Sequence, residues 1–153
     1  MLPSQCEVLI VGGSLVGLSA AAFLGHHGVS VGDVDGDGLE DLYVAQPAGL
    51  PNRLYRNRGD STFEDITDKS GLGVLDDTAA SIFVDVDNDG DEDLVLSTAT
   101  KPILFLNDGR GHFTDVTESA GLDWRRPDGH PGEPRQPIIA DFDNDGLPDI
   151  FIS

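Results

Sequence analysis

The stretch Asp33-Val34-Asp35-Gly36-Asp37-Gly38-Leu39-Glu40-Asp41 returns as Asp85-Val86-Asp87-Asn88-Asp89-Gly90-Asp91-Glu92-Asp93, and again as Asp141-Phe142-Asp143-Asn144-Asp145-Gly146-Leu147-Pro148-Asp149. The pattern D-x-D-x-D-G-x-x-D therefore starts at residues 33, 85 and 141, at spacings of 52 and 56 residues. A period of tens of residues dictates architecture, because each repeat is a supersecondary unit that buries its apolar face against its neighbours. A second block keeps the same step: Leu54 to Thr67 matches Leu104 to Thr117, and Ser70-Gly71-Leu72 matches Ala120-Gly121-Leu122. Two independent blocks sharing one period make chance a poor explanation.

Each period reads as short strands. In the second copy, Ser81–Val84 runs into the acidic loop and Asp93–Leu96 leaves it; Ile103–Leu106 follows, and His112–Thr117 closes the unit. β-branched and aromatic residues alternate with polar ones, and Asn-Asp-Gly turns separate them, which is the signature of strands and hairpins. Four antiparallel strands in roughly 50 residues is the size of one propeller blade. The expected fold is thus all-β: two four-stranded blades and the opening half of a third, preceded by a short strand-helix segment. The expected division is 1–25 for that segment, 26–80 and 81–136 for the two full repeats, and 137–153 for the partial one. A closed propeller takes at least about four blades. The chain is accordingly expected to be a fragment, part of an oligomer, or an open stack whose blade edges invite self-association.

The acidic loops carry the chemistry. Aspartates at positions 1, 3 and 5 of each loop oppose one another's ionisation unless a cation sits between them. Hard oxygen donors on a flexible turn suit calcium better than magnesium, which demands stricter geometry and keeps more of its water. The glycine at position 6 (Gly38, Gly90, Gly146) lets the backbone turn sharply, freeing the carbonyl at position 7 (Leu39, Asp91, Leu147) to coordinate. The acid at position 9 is expected to close the shell. The candidate ligands are Asp33, Asp35, Asp37 and Asp41; Asp85, Asp87, Asp89 and Asp93; and Asp141, Asp143, Asp145 and Asp149, for up to three Ca2+. An EF-hand is disfavoured, since that motif places a ligand at position 12 and a helix on each side.

Composition agrees. The chain has 28 acidic against 9 basic residues and a formal charge of -19, which repels a nucleic-acid backbone and asks for a cationic partner. Cys6 is the only cysteine, excluding an intrachain disulfide and a thiolate metal site. Residues 8 to 25 form an uncharged apolar run, but Glu7 precedes it and no Lys or Arg occurs before Arg53, so neither a membrane span nor a signal peptide is expected. His26, His27, His112 and His130 lack partners at catalytic spacing, and no G-x-S-x-G occurs, so no catalytic residue is assigned.

On the acidic loops, the block N-x-L-[YF]-x-N-x-G, the following F-x-D-[IV]-T and the Gly-Leu pair, residues 26 to 153 resemble the FG-GAP and VCBS repeat families of integrin-α-like propeller blades, and most of all their cartilage acidic protein branch. The resemblance implies calcium ligation by the aspartates above and an extracellular or periplasmic setting. It further implies a non-catalytic binding, adhesion or scaffold role toward a protein or glycan ligand. Ser61 departs from the glycine usual in its turn.

Residues 7 to 31 resemble something different, the N-terminal FAD-binding βα unit of flavin-dependent aromatic hydroxylases. They comprise a strand Glu7–Val11, a turn Gly12-Gly13-Ser14-Leu15-Val16-Gly17, a helix from Leu18 to Gly25, and His26 to Val31. In that family Gly12, Gly13 and Gly17 would face the flavin pyrophosphate at a helix N-terminus. Ser14 replaces the middle glycine, and Asp35, near the place of the ribose-binding acid, already belongs to the first acidic loop. A lone βα unit cannot enclose a flavin, so FAD is not expected to bind; a monooxygenase remnant is the alternative reading. Two further features stand out: Arg58-Gly59-Asp60, which spells an integrin-recognition tripeptide but whose counterpart Asp108-Gly109-Arg110 marks it as an ordinary turn, and the loop Asp123 to Pro137, where Trp124 is expected to pack on the blade, the alternative being that it joins Arg125 and Arg126 in binding a partner.

Overall fold

The computed structural model describes residues 28–122 and 137–151. Gly12, Gly13, Gly17, the rest of segment 1–25, and the loop bearing Trp124, Arg125 and Arg126 lie outside the described residues.

The first repeat forms β1 (Val29–Gly32), β2 (Asp41–Val44), β3 (Arg53–Asn57) and β4 (Phe63–Asp65), followed by the single helical turn α1 (Thr67–Ser70). The second forms β5 (Thr78–Val84), β6 (Asp93–Thr98), β7 (Pro102–Asn107) and β8 (Phe113–Asp115); the third contributes β9 (Ile138–Ala140) and β10 (Asp149–Phe151). Each full repeat is a sheet in simple sequential order, β1-β2-β3-β4 and β5-β6-β7-β8, and β9 pairs β10. Every pairing is antiparallel. The all-β, blade-like fold read from the repeat is the one observed. Val29 to Val31, where the two sequence patterns overlap, lie in β1 and pair with β2 of the blade.

Strand bounds in the second blade differ from the reading at both ends. β5 starts earlier, at Thr78, through an irregularity between Thr78 and Ala80 that lets it keep pairing with β6 out to Thr98. β8 is shorter because the chain folds back after Asp115: the Asp115 carboxylate accepts the N–H and hydroxyl of Thr117 at 2.9 and 2.5 Å, and Thr117 Oγ1 accepts the Leu104 N–H at 3.0 Å. The first blade repeats this device with Asp65, Thr67 and the Leu54 N–H. The F-x-D-[IV]-T motif is therefore a clasp fastening the fourth strand's end to the third strand.

The two blades share one core. Val34, Tyr43, Leu54, Ile66 and Leu72 of the first pack in one cluster with Leu94, Leu96, Ile103, Phe105 and Phe113 of the second. Phe83 bridges them, edge-on to Tyr43 at 6.3 Å between ring centres and tilted against Phe113 at 6.4 Å. Burying each such large apolar side chain contributes about 1.5–3 kcal/mol. Polar contacts cross the seam too. Ser30 Oγ donates to the Ser81 carbonyl at 2.8 Å, the Asp33 N–H donates to Glu92 Oε2 at 3.0 Å, and Asn107 Nδ2 donates to the Val34 carbonyl at 2.9 Å. The Asp33–Glu92 contact sets the start of the first acidic loop against the end of the second.

Candidate metal centres

Each acidic loop connects the first and second strands of its repeat, β1 to β2, β5 to β6, and β9 to β10. The same internal bonds shape all three. Asp33 accepts the N–H groups of Asp37 and Gly38 at 3.1 and 2.8 Å; Asp85 accepts those of Asp89 and Gly90 at 3.2 and 3.0 Å; Asp141 accepts those of Asp145 and Gly146 at 3.1 and 3.0 Å. The position-5 carboxylate in turn accepts the position-7 N–H: Asp37 from Leu39, Asp89 from Asp91, and Asp145 from Leu147. Gly38, Gly90 and Gly146 take φ of 83°, 98° and 91°, a left-handed conformation that only glycine adopts without strain.

Position 4 is the requirement that sequence reasoning missed. Gly36, Asn88 and Asn144 take φ of 70°, 63° and 60°. Asparagine is one of the few residues that enters this region readily. The signal was present in the sequence, since position 4 holds only Gly or Asn in the three copies.

The loops draw their carboxylates into clusters. Carboxylate oxygens of Asp33, Asp35 and Asp37 lie within 4.8 Å of one another, as do those of Asp85, Asp87 and Asp93, and those of Asp141, Asp143 and Asp149. Position 9 thus joins the cluster in the second and third loops, whereas in the first the opening three acids converge. Position 9 also has a second task. Asp41 is wholly buried, and its two oxygens accept the N–H groups of Val34 at 3.0 Å and Asn57 at 2.7 Å; Asp93 does the same with Val86 and Asn107 at 2.9 Å each. Asp149 accepts the Phe142 N–H at 2.8 Å. The last acid therefore ties the start of the loop to the second strand and, in the full blades, to the third.

Burial pushes the Asp41 carboxyl up to about 6, with the two backbone N–H groups opposing and the charges of Asp35 and Asp37 adding to the rise. Burial pushes Asp93 up in the same way, with Asp87 and Asp89 contributing. Three carboxylates within one ion's reach, on loops whose shape is set by backbone turns, form a hard-oxygen donor set of the kind calcium takes. Asp35 supplies a specific sign of fit: its Oδ1 is buried with no hydrogen-bond partner. A buried carboxylate oxygen left unpaired is costly, and a cation would satisfy it.

Residues 33–96 and 85–152 match the family model described as FG-GAP-like repeat. The chain is 28% identical over 152 residues to cartilage acidic protein 1 of Xenopus tropicalis, an alignment covering 95% of this chain and 22% of that protein. It is 29% identical over 136 residues to cartilage acidic protein 1 of Homo sapiens, covering 86% of this chain and 19% of that protein. The chain thus spans about a fifth of the length of these curated relatives.

Proposed function

Starting from a chain that belongs to the FG-GAP-like repeat family, we propose that it is a calcium-binding, non-catalytic module whose blades present a surface to a protein or glycan ligand outside the cytoplasm. The observation that carries the reading is the gathering of carboxylates into a cluster on each of three loops that share the same position-1 and position-5 hydrogen bonds. Calcium would be held by Asp33, Asp35 and Asp37 in the first loop, by Asp85, Asp87 and Asp93 in the second, and by Asp141, Asp143 and Asp149 in the third. Its contribution there is charge neutralisation: three dications would move the formal charge from -19 to -13. The extracytoplasmic setting suits this reading, because weak calcium sites fill where calcium is abundant. The relatives' name, cartilage acidic protein, matches the acidic composition of this chain.

Isothermal titration calorimetry of the full chain with calcium chloride, paired with native mass spectrometry, tests it. Binding of up to three calcium ions, reduced in Asp87→Asn and Asp143→Asn variants, is the expected result. No heat and no calcium adducts at millimolar calcium would overturn it.

A further inference from the structure

The first and second acidic loops share their main internal hydrogen bonds but differ in which acids converge and in what stands beside them. Arg56 Nη1 lies 3.4 Å from Asp35 Oδ2, and Nη2 lies 2.8 Å from Glu64 Oε2. Glu64 also holds Arg58 at 3.2 Å and Lys69 at 3.1 Å. Arg56 is thereby anchored at one end by a carboxylate at the centre of a cationic cluster, and its other end rests on the one carboxylate of the first loop that has a buried, unpaired oxygen. In the second repeat every member of this cluster is replaced: Leu106 stands for Arg56, Asp108 for Arg58, Thr114 for Glu64 and Ser119 for Lys69. Among the described residues no ion pair reaches Asp85, Asp87, Asp89 or Asp93.

We infer that Arg56 is an affinity-setting residue of the first loop, a resident counter-cation that competes with a divalent ion for Asp35 and makes this loop the weaker of the first two. The inference rests on the calcium reading above and deepens it. The physical reason is that a dication entering beside Asp35 meets a guanidinium already on the same carboxylate. It must displace the guanidinium or bear its repulsion. Arg56 is 41% exposed, so solvent screens the pair and the penalty is modest. The expected weakening is roughly three- to tenfold. The charged cluster is thus a way to obtain two calcium affinities from one repeated motif.

The test is a calcium titration of the full 15N-labelled chain, following the backbone amides of Gly38, Gly90 and Gly146, one in each loop. Three chains are compared: the unaltered one, Arg56→Leu, which copies the second repeat, and Leu106→Arg, which gives the second loop a cation. In the unaltered chain Gly38 is expected to reach half-saturation at higher calcium than Gly90. Arg56→Leu should lower the Gly38 midpoint roughly three- to tenfold and leave Gly90 in place. Leu106→Arg should raise the Gly90 midpoint, so the inference stays testable even if Arg56→Leu does not fold. A Gly38 midpoint at or below that of Gly90, or one unmoved by Arg56→Leu while Gly90 and Gly146 still titrate, would overturn the role of Arg56 alone. Silence of all three glycines would remove the calcium reading itself and this inference with it.

Discussion

The second strand of the second blade is buried along its whole length and its counterpart in the first is not, although the two blades share one sequence pattern. All six residues of β6 are buried, whereas burial in β2 alternates between buried and half-buried. β5 runs for 7 residues against 4 in its counterpart β1. The second blade meets the first through β5, Glu92 and Asn107, and its acidic loop reaches the third, where Asn88 Nδ2 donates to the Gly146 carbonyl at 3.1 Å. A blade's stability is therefore set by its neighbours as much as by its own residues, as expected when repeats stack in nearest-neighbour fashion.

Truncations at matched positions test this difference most strongly. Leu94 is fully buried and Leu42, its counterpart, is half-buried. Leu94→Ala should cost about 2–5 kcal/mol in urea unfolding, the range for a deleted core leucine, and Leu42→Ala about 1–2 kcal/mol. Equal costs would mean that the two blades are equally supported. The paired asparagines come next. The Asn107 side-chain amide donates to the buried Val34 carbonyl across the seam and to the Glu92 carbonyl, while that of Asn57 donates to the exposed Glu40 carbonyl and accepts the exposed Gly59 N–H. Asn107→Ala is expected to cost about 1–3 kcal/mol by leaving a buried carbonyl unpaired, and Asn57→Ala under about 1 kcal/mol.

A pH effect of intermediate size separates the loops. Asp41 has its folded pKa raised from 3.8 to about 6, so the folded state holds that proton more tightly than the unfolded chain does. The resulting stabilisation is fully present below the unfolded value and is lost as pH rises through the folded one. Metal-free chain in chelator should therefore melt a few degrees higher near pH 5 than near pH 7. Glu64 does not disturb this window: its cations, Lys69 first and then Arg56, hold it down to about 2, and that stabilisation is lost only as pH falls below its ordinary 4.5. Asp41→Asn should flatten the rise more than Asp93→Asn, measured by differential scanning fluorimetry. The smallest effect lies in the β3–β4 turn, where Ser61 adopts φ of 70° and its counterpart Gly111 adopts 75°. Ser61→Gly should raise stability by about 0.4–1 kcal/mol through relief of left-handed strain, and Gly111→Ser should lower it by a similar amount.

The repeat step, the strand order and the loop positions were legible in the sequence because they depend on local patterns: alternation, turn residues, and aspartates at fixed offsets. What pairs or packs across the seam was not. Nothing in Glu92 or Asn107 marks them as inter-blade donors and acceptors, since that role exists only once two repeats are stacked. The tying role of Asp41 and Asp93 was equally hidden. A carboxylate at the end of an acidic loop looks like one more ligand, and only the fold shows its oxygens taken by the N–H groups of Val34 and Asn57, or of Val86 and Asn107. The helical turn Thr67–Ser70 also escaped notice, being fixed by the Asp65–Thr67 clasp and the left-handed Gly71 rather than by any helical periodicity.

Thermal unfolding of the full chain in millimolar calcium and in excess chelator, at one pH and ionic strength, bears most directly on whether these loops are cation sites. Each occupied site adds about 2.7 kcal/mol when free calcium stands at a hundred times its dissociation constant, so the calcium melt should lie several degrees above the chelator melt and fall back when chelator is added. Two superimposable melting curves would contradict it.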